Sequence, residues 1–273
     1  MLVAVDTGGT KTLIARFEQD GSISKSLKFP TPADQQEYVT LLRSTLEKEF
    51  SDHTVEALVI GLPGIIKDGI ALWCDNLGWK DFDAHHAFND LFGESPVLIE
   101  NDANLAGLAE TRTLDPTPTS ALYVTLSTGI GTGVITNGRI DAGLRHSEGG
   151  HMLIEYGGKL QEWEDFASGR SIYQTYGQYA RDIVSVKTWD EIADRISRGF
   201  LTIIPMLQPD IVILGGSIGT YFERYNATLL KILETKLPAH IARPHFIQAA
   251  HPEQAVIYGC YYYALDYLST NHS

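Results

Sequence analysis

The amino-acid sequence predicts an α/β fold arranged as two similar halves. Three observations carry the prediction. Short apolar runs recur along the chain, and each ends in glycine or a polar cluster, as buried strands do. Helix-like stretches separate them, which is the alternation expected of sheets covered by helices. A strand followed by a Gly/Thr-rich turn occurs twice, once at the start of the chain and once near its middle.

In chain order, residues 2–5 read as the first strand, running into Asp6-Thr7-Gly8-Gly9-Thr10-Lys11. Residues 38–50 read as an amphipathic helix, 55–60 and 97–99 as further strands, and 104–111 as a second helix. Residues 113–119 hold two prolines among small polar residues and mark the expected boundary between the halves. The second half opens with the strand 121–126, which runs into Ser127-Thr128-Gly129-Ile130-Gly131-Thr132-Gly133. The strand 211–214 meets Gly215 and Gly216, and the Tyr/Ala-rich residues 256–268 read as a closing helix.

The chain of 273 residues can hold one large domain or two modest ones, each with a core. With 44% hydrophobic and 20% charged residues, its composition is globular rather than disordered. A net charge of -13 disfavours nucleic acid or an anionic membrane as the main partner. No apolar run reaches the roughly 18 residues of a membrane helix. The chain opens on a strand-like run without a basic n-region or cleavage site, so the expected address is cytoplasmic. Cys74 and Cys260 are the only cysteines, which excludes a disulfide framework and a cysteine-rich metal site.

The glycine turns suggest phosphate binding. Gly8 and Gly9 allow backbone N–H groups to approach an anion without Cβ interference. Thr7, Thr10 and Thr12 add hydroxyl donors, and Lys11 adds a positive charge. Asp6, at the end of the first strand, is placed to hold Mg²⁺ through water. Thr128, Gly129 and Gly131 repeat the pattern, and Gly215 and Gly216 could lie against a purine or ribose. Each turn alone also reads as an ordinary tight turn. Paired at the starts of two repeated halves, they would bracket a nucleotide in a cleft. Neither turn matches G-x-x-x-x-G-K-[ST] or the dinucleotide fingerprint, which argues against a P-loop protein and a Rossmann dehydrogenase.

Asp102, in Glu100-Asn101-Asp102-Ala103-Asn104, precedes a helix-like run. It reads equally as a helix N-cap and as a carboxylate kept ionised by the helix terminus, able to accept a proton from an attacking hydroxyl. Asn101 offers a donor and an acceptor to a neighbouring hydroxyl. Glu148 and His151, on a glycine-rich loop, could grip hydroxyls of a sugar ring. Glu164 sits at an expected helix start.

These motifs, in this order, resemble the ROK family of sugar kinases along nearly the whole chain. The matches are D-x-G-G-T-K at 6–11, I-G-L-P-G at 60–64, N-L-G-W at 76–79 and E-N-D-A-N at 100–104. They continue with T-G-I-G-x-G at 128–133, E-x-G-H at 148–151, E-x-x-A-S-G at 164–169 and L-G-G at 214–216. The resemblance implies two actin-like (ribonuclease H-like) lobes with a nucleotide and sugar cleft between them. The first would comprise 1–115 with 256–273, its closing helix packed back, and the second 116–255. It implies that Asp102 is the catalytic base. Asn101, Glu148, His151 and Glu164 would hold the sugar hydroxyls, with the Gly64 backbone nearby.

Two departures stand out. The family's histidine is usually followed by a cysteine cluster that binds zinc with it, whereas residues 152–163 contain no cysteine. No structural zinc is therefore expected, and His151 is left free for the sugar. Ser127 stands where the family usually has glycine. The resemblance implies an ATP-dependent hexokinase using Mg²⁺ and acting on the 6-hydroxyl of glucose or a close relative. The shortened loop also resembles polyphosphate-dependent glucokinases, and mannose, fructose and N-acetylhexosamines are alternative sugars. A transcriptional regulator is disfavoured because the chain opens at the first phosphate strand, without a helix-turn-helix. A pseudokinase is disfavoured because Asp6, Asp102 and both turns occur together. A homodimer is the family expectation, with Tyr221, Phe222 and Tyr225 as exposed aromatic candidates for its interface.

Overall fold

The structure, a computed structural model, describes residues 1–251 and 254–271. Residues 252–253 and 272–273, within the expected ends of the two halves, lie outside the described residues. The described residues form two compact units, 1–109 with 254–271 and 110–251. The proline-bearing segment 113–119 lies just inside the second unit.

The first unit begins with β1 (Leu2–Thr7), β2 (Lys11–Phe17) and β3 (Ile23–Pro30), an antiparallel meander. Helix α1 (Gln35–Phe50) follows, started by Asp34, whose carboxylate accepts the Glu37 N–H at 2.9 Å. Tyr38, Leu42, Leu46 and Phe50 recur every fourth position and make its buried stripe. Next come β4 (Ala57–Leu62), β5 (Ile65–Lys67), β6 (Ile70–Cys74), β7 (Trp79–Asp83) and α2 (Ala84–Phe88). β8 (Val97–Asn101) then runs without a break into α3 (Asp102–Arg112). Five strands form one sheet in the order β3-β2-β1-β4-β8, with β1, β4 and β8 parallel, while β5, β6 and β7 form a small separate sheet. Every residue of β4 is buried, as a strand covered on both faces requires.

The second unit repeats this plan. Its strands are β9 (Ser120–Leu126), β10 (Ile130–Thr136), β11 (Arg139–Ile140), β12 (Leu153–Tyr156) and β13 (Lys159–Glu162). Helices α4 (Trp163–Ala167), α5 (Gly169–Tyr176) and α6 (Val186–Leu207) follow, then β14 (Ile211–Gly215) and α7 (Gly216–Gly219). The unit ends with α8 (Asn226–Lys236) and β15 (His245–Gln248). Its sheet order, β11-β10-β9-β14-β15, has the same sense at every pairing as the first sheet. The twofold repeat expected from two strand-and-turn motifs is thus a repeat of whole sheets.

The last helix, α9 (Ala255–Asn271), belongs to the first unit and buries Ile257, Cys260 and Ala264 against the sheet. A Cβ at Gly259 would lie 2.0 Å from the Leu105 carbonyl oxygen, so only glycine permits this approach of α9 to α3.

Of the aromatic residues expected at an exposed interface, Phe222 and Tyr225 are core residues and Tyr221 is partly buried. Phe222 and Tyr225 are 7% and 1% exposed, and Tyr225 stacks on Trp189 with ring centroids 5.7 Å apart. Tyr221 packs against the same core. Helix α6, absent from the predicted elements, supplies Trp189 and so turns that segment inward. No described helix is long and apolar enough to cross a membrane.

Candidate active-site residues

In the first unit the carboxyl ends of the parallel strands gather the polar motifs, which is where open α/β sheets place ligands. β1 ends at Asp6 and Thr7, β4 leads into Pro63 and Gly64, and β8 delivers Asn101 and Asp102. Asp6 pairs with Gly61 across β4, and Gly61 pairs with Glu100 across β8, so the three lie in one row.

The turn after β1 is closed by the Gly8 N–H donating to the Lys11 carbonyl at 2.9 Å. Two of its expected hydroxyl donors face the protein. Thr7 is buried and shares a 2.7 Å hydrogen bond with the Tyr38 hydroxyl. Thr12 is buried and bonds Thr31 at 2.9 Å, and Thr31 in turn donates to the Gly8 carbonyl at 2.8 Å. Thr10 and Lys11 are exposed, as is Gly9. Asn76 closes on the turn, for a Cβ at Gly9 would lie 3.3 Å from its carbonyl oxygen. Asp6 is half-buried beneath the turn. Burial pushes its carboxyl up to about 6, against the opposing charge of Lys11. A carboxylate so destabilised gains from a nearby cation, and Asp6 fits the role of a water-mediated Mg²⁺ partner.

The helix cap expected of Asp102 is made by its neighbour. The Asn101 side-chain oxygen accepts the Asn104 N–H at 3.0 Å, and its amide donates to the Gly64 carbonyl at 2.8 Å. Asn101 therefore couples the Gly64 turn to α3, and each of its polar groups keeps one further bonding capacity. Glu100 accepts from the Asn101 N–H at 2.8 Å and from the Asn104 amide at 3.0 Å, holding the segment rigid. Asp102 occupies the first turn of α3, where one carboxylate oxygen accepts the Ala103 N–H at 2.8 Å and the positive end of the helix favours its ionised form.

In the second unit the turn after β9 is Ser127, Thr128 and Gly129, between the paired Leu126 and Ile130. It is one residue shorter than Gly8, Gly9, Thr10 and Lys11, which lie between the paired Thr7 and Thr12. Gly131, expected within the turn, is a strand residue paired with Thr125. Gly215 pairs with that same Thr125 on its other side, and Gly216 opens α7 at φ +77°. Thr125 precedes the strand's last residue as Asp6 does in β1, so the repeat puts a hydroxyl where the first unit has a carboxylate. Spacing gave no sign of this.

Glu164, in the first turn of α4, accepts the Ile130 N–H at 3.0 Å. A Cβ at Gly129 would lie 2.6 Å from the same oxygen, so a larger residue there would push the carboxylate aside. Glu148 precedes the short helical turn Gly149–His151, whose Gly149 N–H donates to the buried Thr132 hydroxyl at 2.9 Å. Burial pushes the Glu148 carboxyl up; His151 pulls it back and Glu164 adds to the rise.

His151 has a side-chain partner on one ring nitrogen. Its Nδ1 lies 2.7 Å from Glu162 Oε2, a partner that sequence patterning missed. Burial works against the imidazolium, but the hydrogen bond and charge of Glu162, with the charges of Glu164 and Glu148, leave its pKa raised. Among the described residues His151, Glu162 and Glu164 bring ligand-type atoms within 4.8 Å of one another. The direct 2.7 Å contact is shorter than the roughly 3.4 Å separating two ligands of a tetrahedral zinc ion. The pair is a hydrogen bond.

With this geometry in hand, three kinds of comparison agree. The family model described as the ROK family matches residues 2–266. The N-acetylmannosamine kinase of Escherichia coli O1:K1 / APEC is 32% identical over 277 residues, covering 91% of this chain and 92% of that protein. The fructokinase of Pediococcus pentosaceus is 27% identical over 237 residues, covering 80% of each. The crystal structure of a ROK family glucokinase from Streptomyces griseus, in complex with glucose and AMPPNP, superposes with a TM-score of 0.80 at 22% identity, covering 97% of this chain and 99% of that one. The two-lobed α/β architecture is therefore that of the family's sugar kinases.

Proposed function

We propose, from the premise that the chain belongs to the ROK family and is a sugar kinase, that it transfers the γ-phosphate of ATP to the 6-hydroxyl of glucose or a close relative. The observation that carries the reading is the Asn101 cap. Asn101 caps α3 and ties it to the Gly64 turn, and Asp102 follows it at the carboxyl edge of the sheet, in the first turn of α3. Asp102 takes the proton of the sugar hydroxyl as that oxygen bonds to the γ-phosphorus. The bond from the γ-phosphorus to the bridging oxygen breaks, ADP leaves, and the proton passes from Asp102 to solvent.

Glu148, His151 and Glu164 hold other hydroxyls of the sugar, with Asn101 and the Gly64 turn completing the set. Backbone at Gly8, Gly9, Thr10, Thr128 and Gly129, with Lys11, receives the phosphates, and Gly215 and Gly216 lie toward the nucleoside. Mg²⁺, held through water by Asp6, would neutralise charge on the β- and γ-phosphates. Relatives that act on fructose or N-acetylmannosamine make those sugars the first comparisons with glucose.

A coupled phosphorylation assay across glucose, mannose, fructose and N-acetylmannosamine, with MgATP or polyphosphate as donor, tests the reading. Asp102→Asn should lower kcat by about 10²–10⁴ with little change in sugar KM. Near-wild-type turnover in that variant would reject Asp102 as the base. Faster turnover with polyphosphate would replace ATP as the donor.

A further inference from the structure

His151 and Glu162 face one another at the base of the β12–β13 hairpin. The ladder pairs Leu153 with Glu162 and Tyr156 with Lys159, and the Trp163 N–H donates to the Met152 carbonyl at 2.9 Å. Glu162 stands on a fixed point. Its backbone N–H donates to the Asp165 carboxylate at 3.1 Å, and the next residue, Trp163, is fully buried. His151 has no such footing, for its side chain is 39% exposed at the end of a three-residue turn. The hairpin is anchored by Ile154 and Tyr156, which pack on the core, while its Leu153 and Leu160 are 64% and 68% exposed, so the backbone is fixed and the half-exposed ring takes its orientation from a polar partner. What orients it is the 2.7 Å contact with Glu162.

We propose that Glu162 is a positioning residue, holding the His151 imidazole so that Nε2 faces a sugar hydroxyl as a hydrogen-bond acceptor. A carboxylate only accepts, so a neutral ring bonded to it through Nδ1 must carry its proton there. Above the ring's raised pKa, where it is neutral, Nε2 then presents a lone pair. The carboxyl oxygens of Glu148 and Glu164 are acceptors too, so the second unit offers three acceptors to a ligand whose hydroxyls each donate one proton. Without Glu162 the ring is free to carry its proton on Nε2 and to turn, presenting a donor where an acceptor is needed. This inference rests on the sugar-kinase reading of Glu148, His151 and Glu164.

The test combines kinetics with ¹⁵N NMR of the His151 ring at a pH where it is neutral. The wild-type spectrum should show the proton on Nδ1, and Glu162→Ala should move it to Nε2. With the best sugar at saturating MgATP, Glu162→Ala and His151→Ala should each raise sugar KM about tenfold, whereas Glu162→Gln, whose amide oxygen still accepts from Nδ1, should raise it less. The KM for ATP should stay within about twofold. In sugar KM the double variant Glu162→Ala/His151→Ala should be no worse than His151→Ala alone, because the ring contact is lost in both, while loss of the Glu162 cap on α4 shows in the melt. Additive losses would mean that Glu162 merely supports the hairpin, and would overturn the proposal. So would an Nε2-protonated wild-type ring, a result that needs no variant to fold. A Zn²⁺-dependent rise in melting temperature that is lost in Glu162→Gln would show a metal site instead, and would also overturn it. Wild-type turnover in Asp102→Asn would defeat the catalytic reading while leaving the ring spectrum as it is, so the two failures are distinguishable.

Discussion

The side-chain amide of Asn101 donates to the carbonyl oxygen of Gly64 at 2.8 Å, across the edge of the sheet. The same side chain caps α3 through the Asn104 N–H. Asn101→Ala removes both contacts and should cost about 2–3 kcal/mol, read as a lower urea midpoint with an unchanged slope. Asn101→Asp keeps the capping acceptor but loses the donor, and should cost less. Equal losses would mean that the cap contributes nothing beyond the Gly64 contact, and no loss in Asn101→Asp would mean that the Gly64 contact contributes nothing.

Gly64 has φ +86°, and a Cβ there would lie 1.9 Å from the Trp73 carbonyl oxygen. Gly64→Ala should therefore destabilise by more than about 3 kcal/mol, since strain and a backbone clash add. Gly78 provides the control: its φ is +68°, but nothing lies within 4 Å. Gly78→Ala should show the conformational strain alone, about 1 kcal/mol in a thermal or urea melt.

Glu164 has one carboxylate oxygen on the Ile130 N–H. Glu164→Gln preserves an acceptor for that bond and removes the charge. It should melt within about 0.5 kcal/mol of wild type, yet raise sugar KM. Glu164→Ala strands the N–H and should lose a further 1–2 kcal/mol or so. If both variants bind sugar normally, Glu164 serves the turn alone.

The Asp6 carboxyl, raised from 3.8 to about 6 by burial, sets a pH dependence of stability in Mg²⁺-free buffer. Below about pH 4 folded and unfolded chains both hold the proton, and the group costs nothing. Between about pH 4 and 6 the unfolded chain ionises first and stability falls. Above about pH 6 the whole cost is present, up to roughly 3 kcal/mol. Asp6→Asn should thus be more stable than wild type at pH 7–8, with the difference vanishing towards pH 4, while losing kinase activity. A variant less stable at every pH would contradict the assignment.

Much of the fold was legible because it is encoded locally. Apolar runs covered on both faces announced β1, β4, β8, β9 and β14, and the twice-used strand and glycine turn announced the repeated sheets. Shorter strands such as β5 and β11 carry too little pattern to stand out. Helix α6, interrupted by Gly199 and Pro205, was not read from its spacing. The motif order located Asp6, Asn101, Asp102, Glu148, His151 and Glu164 as residues of interest.

What those side chains do was decided by partners distant in the chain. Thr7 and Thr12 have the same chemistry as Thr10, yet Tyr38 and Thr31 turn them into the protein. Tyr221, Phe222 and Tyr225 resemble surface aromatics, yet Trp189 lies against Tyr221 and Tyr225, and Phe222 packs on Tyr225. His151 was expected to be left by zinc for the sugar, and its Nδ1 turns out to lie against Glu162. By itself the sequence determined the family, the sheet-forming segments and the candidate chemistry, because backbone geometry and apolar periodicity are local properties. Only the tertiary structure decided which polar groups are already paired, because a hydrogen bond depends on where two atoms meet and not on how far apart they lie along the chain.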